Sequence, residues 1–105
     1  MRKPILKPAK GVSRDALADL CRRHHIRRLS IFGSTLRGTD GPNSDVDLLV
    51  EFVAGKEPGL LGLARIESEL SPVFNGRRID LRTPQDLSEH FRNDVLRSAE
   101  VQYAV

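Results

Sequence analysis

The run Leu29-Ser30-Ile31-Phe32-Gly33-Ser34-Thr35-Leu36-Arg37-Gly38, followed after a loop by Ser44-Asp45-Val46-Asp47-Leu48-Leu49-Val50-Glu51-Phe52, decides how this chain folds. Leu29 to Phe32 is apolar enough for a short buried strand, which Gly33 ends. Residues 34–37 suit one helical turn, and Gly38-Thr39-Asp40-Gly41-Pro42-Asn43-Ser44 is so dense in turn formers that it reads as a loop. Asp45 to Phe52 reads as the next strand. Side chains in a strand alternate with period two, so Asp45 and Asp47 share one face while Val46 and Leu48 turn into the core.

Working outward, residues 1–12 contain Pro4, Pro8 and Gly11 and read as a flexible, irregular basic arm, with the folded domain at 13–105. Ser13 is a good N-cap, and Leu17, Leu20, Cys21 and His24 recur at helical spacing, which predicts a helix over about 13–25. Downstream, the turn formers of 55–59 break the chain. Leu60, Leu61, Leu63, Ile66 and Leu70 then suit an amphipathic helix that stops near Pro72, with core burial the default for its leucines and a partner surface the alternative for Leu60, Leu61 and Leu63. Asn75-Gly76 signals a turn, Arg77 to Leu81 a third strand, and 89–99 a last helix. The resulting order is helix, strand, loop, strand, helix, strand, helix. It predicts an α/β (α+β) domain: one small mixed sheet flanked by helices.

Composition sets the class. At 105 residues, 39% hydrophobic and 30% charged, the chain has the balance of one globular domain rather than a disordered segment. A core this small leaves room for a partner or an oligomer to contribute. No apolar run is long enough to span a membrane, the N-terminus has no signal-like apolar stretch, and a single cysteine forms no internal disulfide, so the cytoplasm is the expected compartment. The net charge of +3 conceals an asymmetry: residues 1–28 carry nine Lys/Arg against two acids, and residues 29–105 carry eight against twelve. The basic segment suits an acidic protein surface or nucleic acid, or is simply a solvated helix face. Aromatic residues for stacking bases are scarce, which argues against direct nucleic-acid binding.

The chemistry lies in the acids. Two like charges side by side on a strand repel, so stability does not recommend Asp45 and Asp47. A divalent ion reverses that balance, because Mg²⁺ takes hard oxygen ligands and is often held by paired carboxylates plus substrate phosphates. In Arg78-Ile79-Asp80-Leu81, Asp80 again stands opposite two apolar residues. If that strand lies beside the first, three carboxylates converge, enough for a two-metal site with ions roughly 3.5–4 Å apart. Gly33 allows phosphate close to the backbone, and Ser34 offers a hydroxyl and an N–H at a helix start. Arg37, one turn on, reaches a phosphate or pins the loop. Each piece is common alone; their order on these elements is not.

Gly33-Ser34, ten residues, then Asp45-x-Asp47 resembles the signature of the nucleotidyltransferase superfamily that includes DNA polymerase β. The fuller run Phe-Gly-Ser-x-x-Arg-Gly…Ser-Asp-Val-Asp-Leu-Leu-Val-Glu-Phe is similar to its smallest members, the MNT-type minimal nucleotidyltransferases. The likeness covers roughly residues 13–99; at Leu36 the family more usually has a small residue. It implies that Gly33 and Ser34 bind the triphosphate of ATP, with Arg37 near it, and that Asp45 and Asp47 ligate Mg²⁺. It also implies that Asp80 completes the metal site and helps deprotonate the acceptor, a task open equally to water. Such proteins are commonly antitoxins paired with a HEPN-domain toxin, and some transfer AMP to a toxin tyrosine.

Three functions are therefore weighed: AMP transfer to a partner toxin, neutralisation of the toxin by binding alone, and nucleotidyl transfer to a small molecule, for which the chain has no second domain. Cys21 with His24 and His25 lacks a fourth metal ligand and is read as core packing beside a half-exposed helix end. Arg77, Arg78 and Arg82 contact phosphates or an acidic partner, or form a solvated strand edge. Tyr103 is read as a loosely packed tail residue rather than a self-acceptor.

Overall fold

Ser13 stops the N-terminal segment and starts the first helix: its hydroxyl accepts from the Ala16 N–H at 3.3 Å, meeting one of the donors a helix start leaves unpaired. The computed structural model describes residues 5–9, 11–33 and 45–105. Five strands, β1 (Ile5–Leu6), β2 (Ile26–Ile31), β3 (Val46–Phe52), β4 (Ile79–Arg82) and β5 (Glu100–Ala104), form one sheet in the order β1-β5-β2-β3-β4. Only the β3–β4 pair among these is parallel, so the sheet is mixed. Among the described residues, the helices α1 (Arg14–Arg23), α2 (Leu60–Val73) and α3 (Glu89–Ser98) accompany it, with a 3₁₀ turn at Pro84–Asp86.

The sheet is packed on both faces. On one, Leu17, Leu20 and Cys21 of α1 and Ile66 and Leu70 of α2 bury against Leu29, Ile31, Val46, Leu48, Val50 and Tyr103. On the other, Phe32 and Leu49 meet Leu87 and Val95 of the α3 segment. Alternation along β3 thus sends Val46, Leu48 and Val50 to the α1–α2 face, and Asp47, Leu49 and Glu51 to the α3 face. Cys21 is fully buried, and burial, opposed weakly by Arg22, pushes its thiol pKa up to about 12. It is a core residue, not a reactive thiol.

Several expectations change. Ile5–Leu6, read as irregular, pairs antiparallel with β5 at the sheet edge. The C-terminal residues, read as a tail, form β5, which lies between β1 and β2; Tyr103 is 3% exposed. Strand β2 starts at Ile26 rather than Leu29, because the exposed Arg27 pairs with Glu51 across the strands at 2.9 Å. Leu60 and Leu61, expected in the core, are 86% and 89% exposed, since the inward face of α2 is supplied by Ile66 and Leu70.

Two helices are also clamped by charge. Glu69 of α2 accepts from Arg23 at 2.9 Å and lies 3.1 Å from the His24 ring at the end of α1. The His24 hydrogen bond first, then Arg23, holds the Glu69 pKa below its ordinary 4.5. A depressed carboxylate stabilises the fold above its unfolded pKa and loses that contribution as pH falls through the folded value. Below about pH 4.5, then, the Glu69→Gln variant should lose less of its melting temperature than the wild type, as followed by circular dichroism. Shortening the buried aromatic of β5, Tyr103→Ala, should destabilise the fold by about 3–5 kcal/mol in a denaturant titration. A loosely packed tail residue would cost almost nothing.

Candidate active site

The parallel pairing of β3 with β4 sets Val46 opposite Ile79, Asp47 opposite Asp80 and Leu48 opposite Leu81. Apolar residues therefore face apolar residues toward α1 and α2, and the two acids stand side by side on the α3 face. Strands lie about 4.8 Å apart, which is within reach of one bound cation for two opposed carboxylates. The register is pinned at its start, where the Val46 N–H donates to the Arg78 carbonyl at 2.8 Å, and from outside, where Glu67 of α2 accepts from the Leu81 N–H at 3.1 Å.

Gly33 closes the site from the β2 side. Its φ is +70°, in the left-handed region, and a Cβ placed there would sit 2.5 Å from Oδ2 of Asp47 and 3.2 Å from its Cγ. Glycine is required twice over: for the backbone conformation and for the space the carboxylate occupies. The neighbouring Phe32 N–H donates to the Asp47 carbonyl at 3.1 Å, so backbone hydrogen bonding holds the turn against the acid-bearing strand.

A cavity of about 510 Å³ opens between these residues and the start of α3, lined by Phe32, Gly33, Asp47, Asp80, Arg82, Asp86, Leu87, Ser88 and Phe91. Its far wall is built locally. Asp86 accepts from the Thr83 N–H at 3.0 Å and from its hydroxyl at 3.1 Å, closing a capping box, and Arg92 of α3 donates to the carbonyls of Pro84 and Leu87 at 2.6 and 3.1 Å. Arg82 donates through Nε to Oδ1 of Asp80 at 2.9 Å. That bond, then the charge of Asp80 and more weakly those of Asp86 and Asp47, raises the Arg82 pKa further above its already high ordinary value.

Of the residues singled out in the sequence, Gly33, Asp47 and Asp80 come together here. Asp45 is exposed, one residue ahead of β3. Ser34 and Arg37 lie outside the described residues. Among the described residues, no three His, Cys, Asp or Glu side chains are gathered as a metal cage. The donor set nevertheless fits a hard cation: two opposed carboxylates with a third carboxylate two residues before the first. Asp86, Ser88 and Phe91 were missed in the sequence. Phe91, 51% exposed at the cavity, was the legible signal, an aromatic on the polar first turn of its helix.

A nucleotidyltransferase domain model matches residues 13–102, nearly the whole chain. The chain belongs to the nucleotidyltransferase domain family. It is 38% identical over 77 residues, 73% of this chain and 80% of the other, to a Methanocaldococcus jannaschii protein named "Putative protein adenylyltransferase". It is 36% identical over 85 residues, 81% of each chain, to the protein adenylyltransferase MntA of Thermococcus cleftensis. Among solved structures, one described as a "putative minimal nucleotidyltransferase" superposes with a TM-score of 0.67 at 39% identity, covering 81% of this chain and 84% of that one. A toxin–antitoxin MntA–HepT complex shares the fold at a TM-score of 0.60 and 16% identity, over 87% of this chain and 69% of that one. Among the described residues, no helix of this nucleotidyltransferase is long and apolar enough to cross a membrane.

Gly33→Ala tests the apposition. It should lower stability by about 1–2 kcal/mol through its left-handed backbone alone and move the Asp47 carboxylate. Thermal melting and a crystal structure of the variant would show both, and an unmoved Asp47 would contradict the contact.

Proposed function

We propose that this nucleotidyltransferase transfers AMP from ATP to a hydroxyl, a tyrosine in the first instance, of a HEPN-type toxin in the cytoplasm, and so acts as its antitoxin. The observation that carries the reading is the register that places Asp47 beside Asp80, with Gly33 packed directly against Asp47. Support for the transferred group being AMP rather than another nucleotide comes from the relatives named protein adenylyltransferase, and for a toxin partner from the MntA–HepT complex of the same fold. A related toxin–antitoxin structure contains AMP-PNP, an ATP analogue.

The chain's own residues divide the work. Asp45, Asp47 and Asp80 would hold Mg²⁺ in a two-metal arrangement, which when bound supplies charge neutralisation of the triphosphate and a lowered acceptor pKa. Gly33 leaves the space in which phosphate approaches the backbone, with Ser34 and Arg37 continuing the phosphate-binding turn. The acceptor oxygen forms a bond to the α-phosphorus as the bond to the β-phosphate oxygen breaks, and pyrophosphate leaves. The acceptor's proton passes to Asp80 or to water. Half-exposed Phe91 gives the base or the acceptor ring an apolar surface at the cavity mouth.

Incubation with radiolabelled ATP, Mg²⁺ and the toxin should label the toxin, and Asp47→Ala should reduce labelling by about 10²–10³-fold or more, as loss of one charge-stabilising group does. Labelling that persists in Asp47→Ala overturns the assignment. Protection from the toxin by Asp47→Ala with no labelling would instead identify an antitoxin that works by binding alone.

A further inference from the structure

We infer that Arg82 is an internal counter-cation for the acidic site, one that a divalent ion must displace from Asp80 and that then turns to the triphosphate. The inference deepens the adenylyltransferase reading and rests on it. Three observations point the same way. Arg82 is the last residue of β4, two positions after Asp80 and therefore on the same face, and its Nε is 2.9 Å from the Asp80 carboxylate. Both side chains line the cavity with Asp47. And Asp86 lines the same cavity, so the guanidinium stands among three carboxylates rather than beside Asp80 alone.

The bond is of a kind that can be exchanged. The Arg82 side chain is 48% exposed and that of Asp80 35%, so water and salt screen the pair and its net strength is small. A dication brings twice the charge to the same carboxylate. Arg82 then has two places to go. The chain leaves the strand at Thr83, which gives its side chain room to swing, and Asp86, fixed in its capping box across the cavity, keeps the guanidinium within the site. An incoming triphosphate offers the planar guanidinium paired oxygens, the geometry arginine recognises better than lysine does.

The consequence is a coupling between ligands. Metal alone must break the Arg82–Asp80 bond without return, while nucleotide alone finds its arginine already engaged. Arriving together, each relieves the other's cost, so binding of one strengthens binding of the other. Removing Arg82 therefore has opposite effects on the two ligands, a signature that a purely structural role would not produce.

The test uses the full chain and two binding measurements that need no turnover. Mn²⁺ alone is titrated and followed by the loss of the aqueous Mn²⁺ paramagnetic resonance signal. A non-hydrolysable ATP analogue is titrated by calorimetry at saturating Mg²⁺. In Arg82→Met, Mn²⁺ should bind about fivefold more tightly than to wild type, the scale expected on removing a half-exposed ion pair. The analogue should bind at least about fivefold more weakly, and Arg82→Lys, which keeps the charge without the fork, should fall between on both measures. Thermal melting of the three proteins without metal reports whether the variants are folded. Unchanged or weaker Mn²⁺ binding in both folded variants, or unchanged binding of the analogue, overturns the inference while leaving the adenylyltransferase reading intact. A wild type that retains neither Mn²⁺ nor the analogue with Mg²⁺ overturns both.

Discussion

The parallel register of β3 against β4 is the constraint on which everything else in the molecule depends. A slip of β4 by one residue would turn Asp80 into the hydrophobic face and Ile79 and Leu81 out of it, so burial and chemistry select the same pairing. Parallel neighbours need a crossover, and α2 supplies it. Ile66 and Leu70 bury against the sheet, Ser71 donates to the Arg77 carbonyl at 2.7 Å at the entry to β4, and Glu67 occupies the outward N–H of Leu81. The last contact also spoils the edge of β4 as a template for a foreign strand.

The sheet divides its two faces between stability and reaction. The α1–α2 face carries the larger core and holds the register; the α3 face carries a smaller cluster and leaves its outer end open as the cavity. Part of the basic excess near the N-terminus is answered within the fold. Arg23 pairs with Glu69, and Arg27 with Glu51, so acids from the later part of the chain neutralise bases from the earlier part. These are largely exposed pairs, and each contributes at most about 1 kcal/mol. Their larger effect is on the surface potential, which they leave less positive around α1 than the sequence alone implies.

Much of this arrangement was legible because the decisive signals were local. Alternation put Asp47 on the opposite side of its strand from Val46 and Leu48, Asn75-Gly76 announced a turn that the positive φ values of both residues bear out, and Ser13 marked the helix start, whereas Asp45, read as part of the same strand, lies just ahead of it. What escaped was non-local or short. Ile5–Leu6 is two residues long and is a strand only because β5 is beside it. Glu100 to Ala104 alternates, yet it is packed on both faces, with the polar Gln102 as buried as Tyr103, so no apolar run advertised a central strand. The cavity's far wall depends on a capping box and on arginine bonds to carbonyls, which a pattern of residue types does not encode. The Arg82–Asp80 bond was visible only as a flanking charge until the strand's end was known.

The position of the single tyrosine narrows what a tyrosyl acceptor can be. Tyr103 is buried in β5 within the α1–α2 core, on the face of the sheet opposite Asp47 and Asp80. Burial first, and then Cys21, raises its phenol pKa above the ordinary value of 10, which makes it a poorer nucleophile than an exposed tyrosine. To reach the cavity it would have to leave the sheet's second strand position, between β1 and β2, and the domain would lose its core in doing so. Tyr103 is therefore not placed to serve as an acceptor at this site, and on the proposed reading the cavity mouth, with half-exposed Phe91 beside it, is the surface to which a partner would bring a tyrosine.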